Sequence, residues 1–413
     1  MPTPPILEIY VLWHPDDEDG RVAAEYMTEH FHGPAYAGLA GGAVEVYRRS
    51  MGWVSEDGPP RPLPFMKDLP AGLAPAQLTV VVPILSRELA RAVRDSEDWR
   101  EYMEKVFTAD PVSASASQSP WVAVYPVASR SDLSGTHLSD MASTPQSIRP
   151  RTLDDPTLLA RELAQAITQR LHRESGGAGD DRVKVFVSHT KRYAPDEGDG
   201  GRQLVEGVRE VLQDTRLDAF FDAHDIQTGE DWVARLASEA GRNALLTIRT
   251  NLYASREWTQ REVLVAKQHD VPLVALHAVR TQEDRGSFLM DHMPVVVCPP
   301  GDPKPAIEAA LNRLVDEALK KALWRAQRVY LETEGFDWLP AHAPEPTTLT
   351  HWLSGRTLAS SDPNVVIIHP DPPLGPPEQE VVQQICRLVG VTGDVDVLTP
   401  RTFAARGGGA GDD

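Results

Sequence analysis

The chain has 413 residues, with 41 Lys and Arg against 60 Asp and Glu, for a formal charge of −19 at pH 7. This length exceeds one ordinary core and predicts two or three domains, while the acidic balance disfavours nonspecific binding to nucleic acid or anionic lipid. Two cysteines, Cys298 and Cys386, supply neither a disulfide framework nor a zinc site, and no run approaches the roughly 18–20 apolar residues of a membrane span.

The N-terminal stretch MPTPPILEIYVLWHPDDE has no basic region and no small-residue cleavage site, so no secretory leader is predicted and the cytoplasm is the expected compartment. ILEIYVLW reads as a strand, GRVAAEYMTEHFHG as an amphipathic helix and LTVVVPILS as a buried strand. SEDWREYMEKVF is a predicted helix, WVAVYPVAS another strand, and a helix over residues 158–174 closes the unit. HPDDE, residues 14–18, resembles the first metal motif of zinc-dependent deacetylases, in which a His and an Asp ligate the metal. The rest of that pattern, a Gly-rich threonine-bearing stretch and a later His-x-Asp-His, is missing. The plainer reading is an acidic loop opening the next helix with Asp19 as its N-cap, and no metal is expected. Polar stretches over residues 113–120 and 129–147 read as surface loops, and SGGAGDD, residues 175–181, as a linker.

Beyond the linker, VKVFVSHT is a continuous apolar run that suits a strand buried on both faces. A helix over GRQLVEGVREVLQDT follows, then the short strand DAFFD, the polar loop AHDIQTGEDW and a helix over residues 233–240. ALLTIRT is another buried strand, and LYASREWTQREVLVAKQHD reads as a single helix with Glu262 near its middle. PLVALHAV and PVVVCP complete five strands. Alternation of this kind predicts a parallel sheet with helices on both faces.

Trp258 and Glu262 stand four apart in the last of these helices and project from one face. The pair suits cleavage of a cationic N-glycoside, with an aromatic wall for the base and a carboxylate for the oxocarbenium-like centre. Spacing alone is equally met by packing plus a solvated charge.

Three segments in order, VFVSHT, FFDAHDIQTGEDW and REWTQRE, resemble the Toll/interleukin-1 receptor (TIR) domain family over about 120 residues. The first is similar to its first box. The second is similar to its second strand and loop, with Asp222, Asp225, Ile226 and Gly229 in the usual places, and the third to the W-x-x-x-E segment of TIR domains that consume NAD. The resemblance implies a flavodoxin-like fold and NAD glycohydrolase or cyclase activity, with Glu262 as catalytic carboxylate and Trp258 as a pocket wall. Chemistry supports this separately, because nicotinamide leaves as a neutral molecule and needs no general acid. Attack by water gives ADP-ribose and attack by an adenine atom a cyclic isomer; the residues do not choose.

For the substrate, Ser188, His189, Lys191 and Arg192 are the expected contacts in and after the first central strand, joined by Asp222 and Trp232. The family often has two arginines just after the first box, whereas here the stretch is His-Thr-Lys with Arg192 one further on. Which basic residue meets the pyrophosphate therefore stays open, as does a merely solvated loop. Trp232 falls one residue later than the family's aromatic position and equally suits a core-facing anchor. NAD is expected as substrate, with no cofactor and no metal. By resemblance the protein would self-associate through TIR domains, complete its pocket across protomers and serve bacterial anti-phage immunity. The alternative is a non-enzymatic adaptor that only self-associates or recruits partners. The flanking units are the expected place for a nucleotide or protein trigger.

The N-terminal unit also looks like a degenerate TIR-like or Rossmannoid domain: DDPTLLARELAQAITQRL parallels DPKPAIEAALNRLVDEAL, each after a last strand. Trp99 there has Met103 four residues on, and Glu104 lies about 100° further round a helix, so this unit is expected to be non-catalytic. NVVIIHP, PEQEVVQQICRLVG and DVDVLTP predict a C-terminal β-α-β unit whose Pro-rich loop is unlike a phosphate-binding Gly loop. The predicted organisation is a TIR-like unit over 1–175, a TIR domain over 180–325, a partial Rossmann-like unit over 345–405 and a disordered tail over 406–413.

Overall fold

Short β-branched runs between amphipathic helices give parallel strands, because each helix must carry the chain back before the next strand starts. The computed structural model describes residues 5–33, 36, 44–66, 75–109, 120–128, 132–143, 154–174, 183–215, 217–221, 243–283, 285–333, 335–336, 338–354, 364–370 and 372–406. It is α/β throughout, in two compact units, Met1–Ser175 and Gly176–Asp413.

The first unit has strands β1 (Leu7–Leu12), β2 (Val44–Arg49), β3 (Leu78–Leu85), β4 (Trp121–Val124) and β5 (Val127–Ala128). They form a parallel sheet in the order β2-β1-β3-β4, with β5 also on β3. Its helices are α1 (Glu18–Phe31), α2 (Arg87–Asp95), α3 (Glu97–Thr108), α4 (His137–Met141) and α5 (Pro156–Glu174). Every residue of β3 is buried, as its almost wholly apolar run requires. The strand β2 escapes a periodicity reading because VEVYRR turns polar along an edge.

The N-cap of α1 is Asp17, not Asp19: its Oδ1 accepts the Gly20 N–H at 3.0 Å. The helix begins at Glu18, which puts Asp19 in the first turn, where its charge meets the positive end of the helix dipole. Trp99 and Met103 are both fully buried in the core, and the Trp99 indole N–H donates to the Asp57 carbonyl at 3.0 Å. Glu104 is exposed.

In the second unit, β6 (Lys184–His189), β7 (Asp218–Phe221), β8 (Asn243–Arg249), β9 (Leu273–His277) and β10 (Val295–Val297) form one parallel sheet in the order β10-β9-β8-β6-β7. Counted within the unit this is 5-4-3-1-2, the flavodoxin-like order. Helices α6 (Gly200–Gln213), α7 (Glu257–Gln268) and α8 (Lys304–Thr333) accompany it. The helix expected over 233–240 lies outside the described residues.

The single helix expected from residue 252 starts only at Glu257. Residues 250–256 turn instead, so that Tyr253 and Ala254 drop into the core beside Phe186, Leu245 and Val263. Side chains from the helix clamp that turn: Thr259 Oγ1 donates to the Tyr253 carbonyl at 2.5 Å and Gln260 Nε2 to the Ala254 carbonyl at 2.7 Å.

At the C-terminal end of this unit, β11 (Asn364–Ile368) and β12 (Asp394–Leu398) pair in parallel. Around them stand α9 (Pro346–Ser354), α10 (Pro376–Leu388) and α11 (Pro400–Ala405). Trp338, Leu349, Ile367, Val382 and Cys386 pack in their core. Among the described residues no helix is long and apolar enough to cross a membrane.

Candidate functional site

In an open parallel sheet, ligands bind outside the carboxyl ends of the strands, where the strand order reverses. In the second unit that point lies between β6 and β8, whose ladder runs from Lys184↔Asn243 to His189↔Ile248. A cleft of about 430 Å³ opens there. One side is His189, Thr190, Lys191 and Arg192, directly after β6; the other is Arg256, Glu257, Trp258 and Thr259, at the start of α7.

Local chemistry explains the shape of both walls. After β6, Thr190 Oγ1 accepts the Arg192 N–H at 3.2 Å and donates to the Arg192 carbonyl at 2.8 Å, closing a tight hydroxyl turn. The Tyr193 ring then lies against Gly201 of α6, where a Cβ would sit 2.2 Å from the ring. Glu197 joins the two walls: one carboxylate oxygen accepts the Ala194 N–H at 2.6 Å and the other the Asn251 N–H at 2.9 Å. Asn251 extends the tie to the segment after β9, accepting the Arg280 N–H at 2.8 Å and donating to Thr281 Oγ1 at 2.9 Å. Loops from three strand ends are thus held by side chains that satisfy buried backbone groups.

Beside them Glu283 clamps Arg249, the last residue of β8, through both guanidinium edges, with Nη2–Oε2 at 2.7 Å. That bond holds the Arg249 guanidinium above its ordinary range. Burial pushes the nearby His277 imidazole down, helped by the Arg249 charge.

The expected residues divide into three groups. His189, Lys191, Arg192 and Trp258 meet in the cleft, and Trp258 is 48% exposed. Ser188 and Glu262 meet each other: the buried Ser188 hydroxyl donates to Glu262 Oε2, and Glu262 is half-buried. Glu262 is one turn along α7 from Trp258 but is not among the residues lining the cleft. Asp222 and Trp232, with Asp225, Ile226 and Gly229, lie outside the described residues.

Four contributors were not legible in the sequence. Arg256 lines the cleft and makes no ion pair among the described residues. Glu197 and Asn251 tie the walls, and Tyr253 places its phenol 2.6 Å from Ser188 Oγ. Only Arg256, one of three basic side chains flanking the cleft with Lys191 and Arg192, carried a signal, in its nearness to Trp258.

Chemically, the cleft has room for a nucleotide-sized ligand. It offers an exposed indole for a flat cationic ring and, beside the Glu257 carboxylate, three basic side chains of the kind that bind phosphates. No group of three or more His, Cys, Asp or Glu side chains among the described residues is placed to hold a metal. The His14 ring lies tilted against Trp99 with ring centres 5.7 Å apart, and Asp17 caps α1.

No family model matches this chain, and no curated protein matches it. Among solved structures it is similar to tagatose-6-phosphate ketose/aldose isomerase from Escherichia coli, at 12% identity over 78% of this chain and 82% of that one, with a TM-score of 0.19. A TM-score of that size carries no argument about fold or chemistry.

Proposed function

We propose that the second unit carries a TIR-type domain that cleaves the nicotinamide–ribose bond of NAD. The observation that carries the reading is the exposed Trp258 in a basic cleft at the switch point of the sheet, one helical turn from a carboxylate held at the end of β6. Trp258 would hold the pyridinium, and Lys191, Arg192 and Arg256 would balance the pyrophosphate charge. Glu262 would stabilise the oxocarbenium-like centre as the bond breaks. Nicotinamide departs neutral with the bonding electron pair. Water then adds to the ribose carbon and loses a proton, leaving ADP-ribose; addition of an adenine nitrogen gives the cyclic product.

The role that fits such chemistry is NAD depletion or signalling in bacterial anti-phage immunity, in the cytoplasm and switched on by self-association. The test is to incubate the full chain with NAD across a range of protein concentrations and identify nicotinamide and its co-product. Glu262→Gln keeps shape but removes the charge, and should lower turnover about 10²–10³-fold. Equal turnover by this variant overturns the assignment.

A second reading is favoured by one observation: Glu262 is engaged by Ser188 and does not line the cleft. On that reading the unit is a non-enzymatic scaffold. Its signature is self-association with no nicotinamide released at any concentration.

A further inference from the structure

Three side chains from three elements form a hydrogen-bonded line in the second unit: Tyr253 from the turn after β8, Ser188 near the end of β6, and Glu262 in α7. Ser188 Oγ lies 2.6 Å from the Tyr253 phenol and also bonds Glu262 Oε2. A serine hydroxyl has one proton, and an ionised carboxylate can only accept. The Ser188 proton therefore goes to Glu262, and the Tyr253 phenol must donate to Ser188. With Glu262 ionised, each hydrogen bond has a single allowed direction.

We propose that Ser188 and Tyr253 are positioning residues that act through Glu262, aiming its carboxylate from α7, and that Ser188 does not act on the substrate. The inference rests on the reading of this site as NAD-cleaving. Three observations support it. Ser188 is buried, and its one proton is committed to Glu262. Tyr253 has no exposed surface, and burial, followed by the Glu262 charge, pushes its phenol well above the ordinary tyrosine range, so it stays a donor at neutral pH. The turn that delivers Tyr253 is locked to α7 by Thr259, so phenol and carboxylate are referred to the same helix.

A hydrogen bond to the charged form lowers a carboxylate's proton affinity. Removing it should raise the pH below which Glu262 is lost to protonation, and free its rotamer. Other ionisable groups stand on the surrounding elements. Strand β6 and its loop carry Lys184, His189, Lys191 and Arg192, and β8 carries Arg249. On α7 itself are Arg256, Glu257, Arg261 and Lys267. The turn Phe288–Met290 is followed by Asp291, and α9 carries His351. None of these changes in the variants below, so a common shift belongs to the line itself.

The experiment compares Ser188→Ala, Ser188→Thr and Tyr253→Phe in the full-length protein. The expected result for Ser188→Ala is a fall in kcat of about 10–100-fold with KM within about twofold, the size of a lost hydrogen bond to a charged group. The acid limb of its kcat/KM profile should move up by about one pH unit. Tyr253→Phe should move the limb the same way by less, and Ser188→Thr, which keeps the hydroxyl, should restore both readings. A second measurement needs no turnover: the titration of the Glu262 carboxylate by ¹³C NMR, assigned with Glu262→Gln. If wild type releases no nicotinamide, the NAD reading fails while this titration still decides the positioning roles. Acid limbs and titrations that superimpose on wild type overturn the proposal, as does a raised KM with kcat unchanged, which would place Ser188 on the substrate.

Discussion

Lys267 and Glu345 form an ion pair with water almost wholly excluded: the ammonium lies 2.9 and 3.0 Å from the two carboxylate oxygens, and the side chains are 4% and 6% exposed. A further ammonium proton goes to the Asp291 carbonyl at 2.6 Å. The pair joins the last turn of α7, the helix bearing Trp258 and Glu262, to the residue before α9.

Removing one member leaves a buried charge without its partner. Glu345→Ala should destabilise the second unit by about 3–5 kcal/mol, whereas Lys267→Met combined with Glu345→Leu should recover most of the loss. Urea denaturation followed by fluorescence reads both. A loss under about 1 kcal/mol for Glu345→Ala would mean that the pair is solvated in solution.

Stability should also fall in mild acid. His369 has no exposed surface and donates from Nδ1 to the Pro370 carbonyl at 2.7 Å, and burial pushes its imidazole down to about 4. An unfolded histidine takes up its proton near pH 6.5, while this one stays neutral when folded. The contribution is therefore complete above about pH 6.5 and is lost as pH falls toward 4, by up to on the order of 3 kcal/mol.

Asp270 acts in the same sense. Burial opposes its ionisation, but the His342 ring at 3.4 Å and the charges of Lys321 and Arg325 outweigh that and hold its carboxyl below the usual range. Its contribution is present above the unfolded carboxylate value and lost as pH falls through the folded one. Denaturation midpoints at pH 7 and pH 5 check the histidine, and His369→Gln should flatten that difference; the further fall from pH 5 to pH 3 should shrink in Asp270→Asn. A wild-type midpoint that does not change between pH 7 and pH 5 contradicts the histidine assignment.

Trp258 offers a cleaner separation of binding from folding. With 48% of the residue exposed, Trp258→Ala should alter stability by no more than about 0.5 kcal/mol. Loss of stacking on a heterocycle is worth about 1–3 kcal/mol per base, so on the proposed NAD-cleaving reading KM for NAD should rise about tenfold or more, and Trp258→Phe should recover part of it. An unchanged KM places the nicotinamide elsewhere.

The first unit gives a contrasting prediction. Trp99 and Met103 occupy its core, and the Trp99 indole is bonded to the Asp57 carbonyl, so neither side chain is available to a ligand. A fragment ending at residue 175 should release no nicotinamide and should purify without stoichiometric zinc. Either product or metal, measured by chromatography and by elemental analysis, would reverse that view.

Strands such as β3, β6 and β8 were legible because a short, largely apolar run has few places to go except the middle of a covered sheet. β2 was not, since its polar residues are tolerated on an edge that no local pattern announces. The start of α7 was misread for a related reason. Residues 252–256 have helical composition, and the burial of Tyr253 overrides it. Trp258 and Glu262 were legible as a pair within one helix, whereas the partner of Glu262 is 74 residues away in sequence and that of Lys267 is 78. Contacts of that separation leave no periodicity. Glu197 and Asn251 read as ordinary loop residues until the strand ends bring them together.

Tyr253 belongs at once to the packed interior and to the line that reaches Glu262. The nearby cleft, apart from His189, is lined by residues beyond the last rung of the β6–β8 ladder, so loop residues such as Lys191 and Arg192 can be exchanged without breaking a strand. The segment containing Tyr253 does not share that freedom. A graft that transplants this cleft onto another parallel sheet has to carry the phenol and its cavity together. Substitution can accordingly change ligand preference in the loop after β6 far more readily than in the turn after β8.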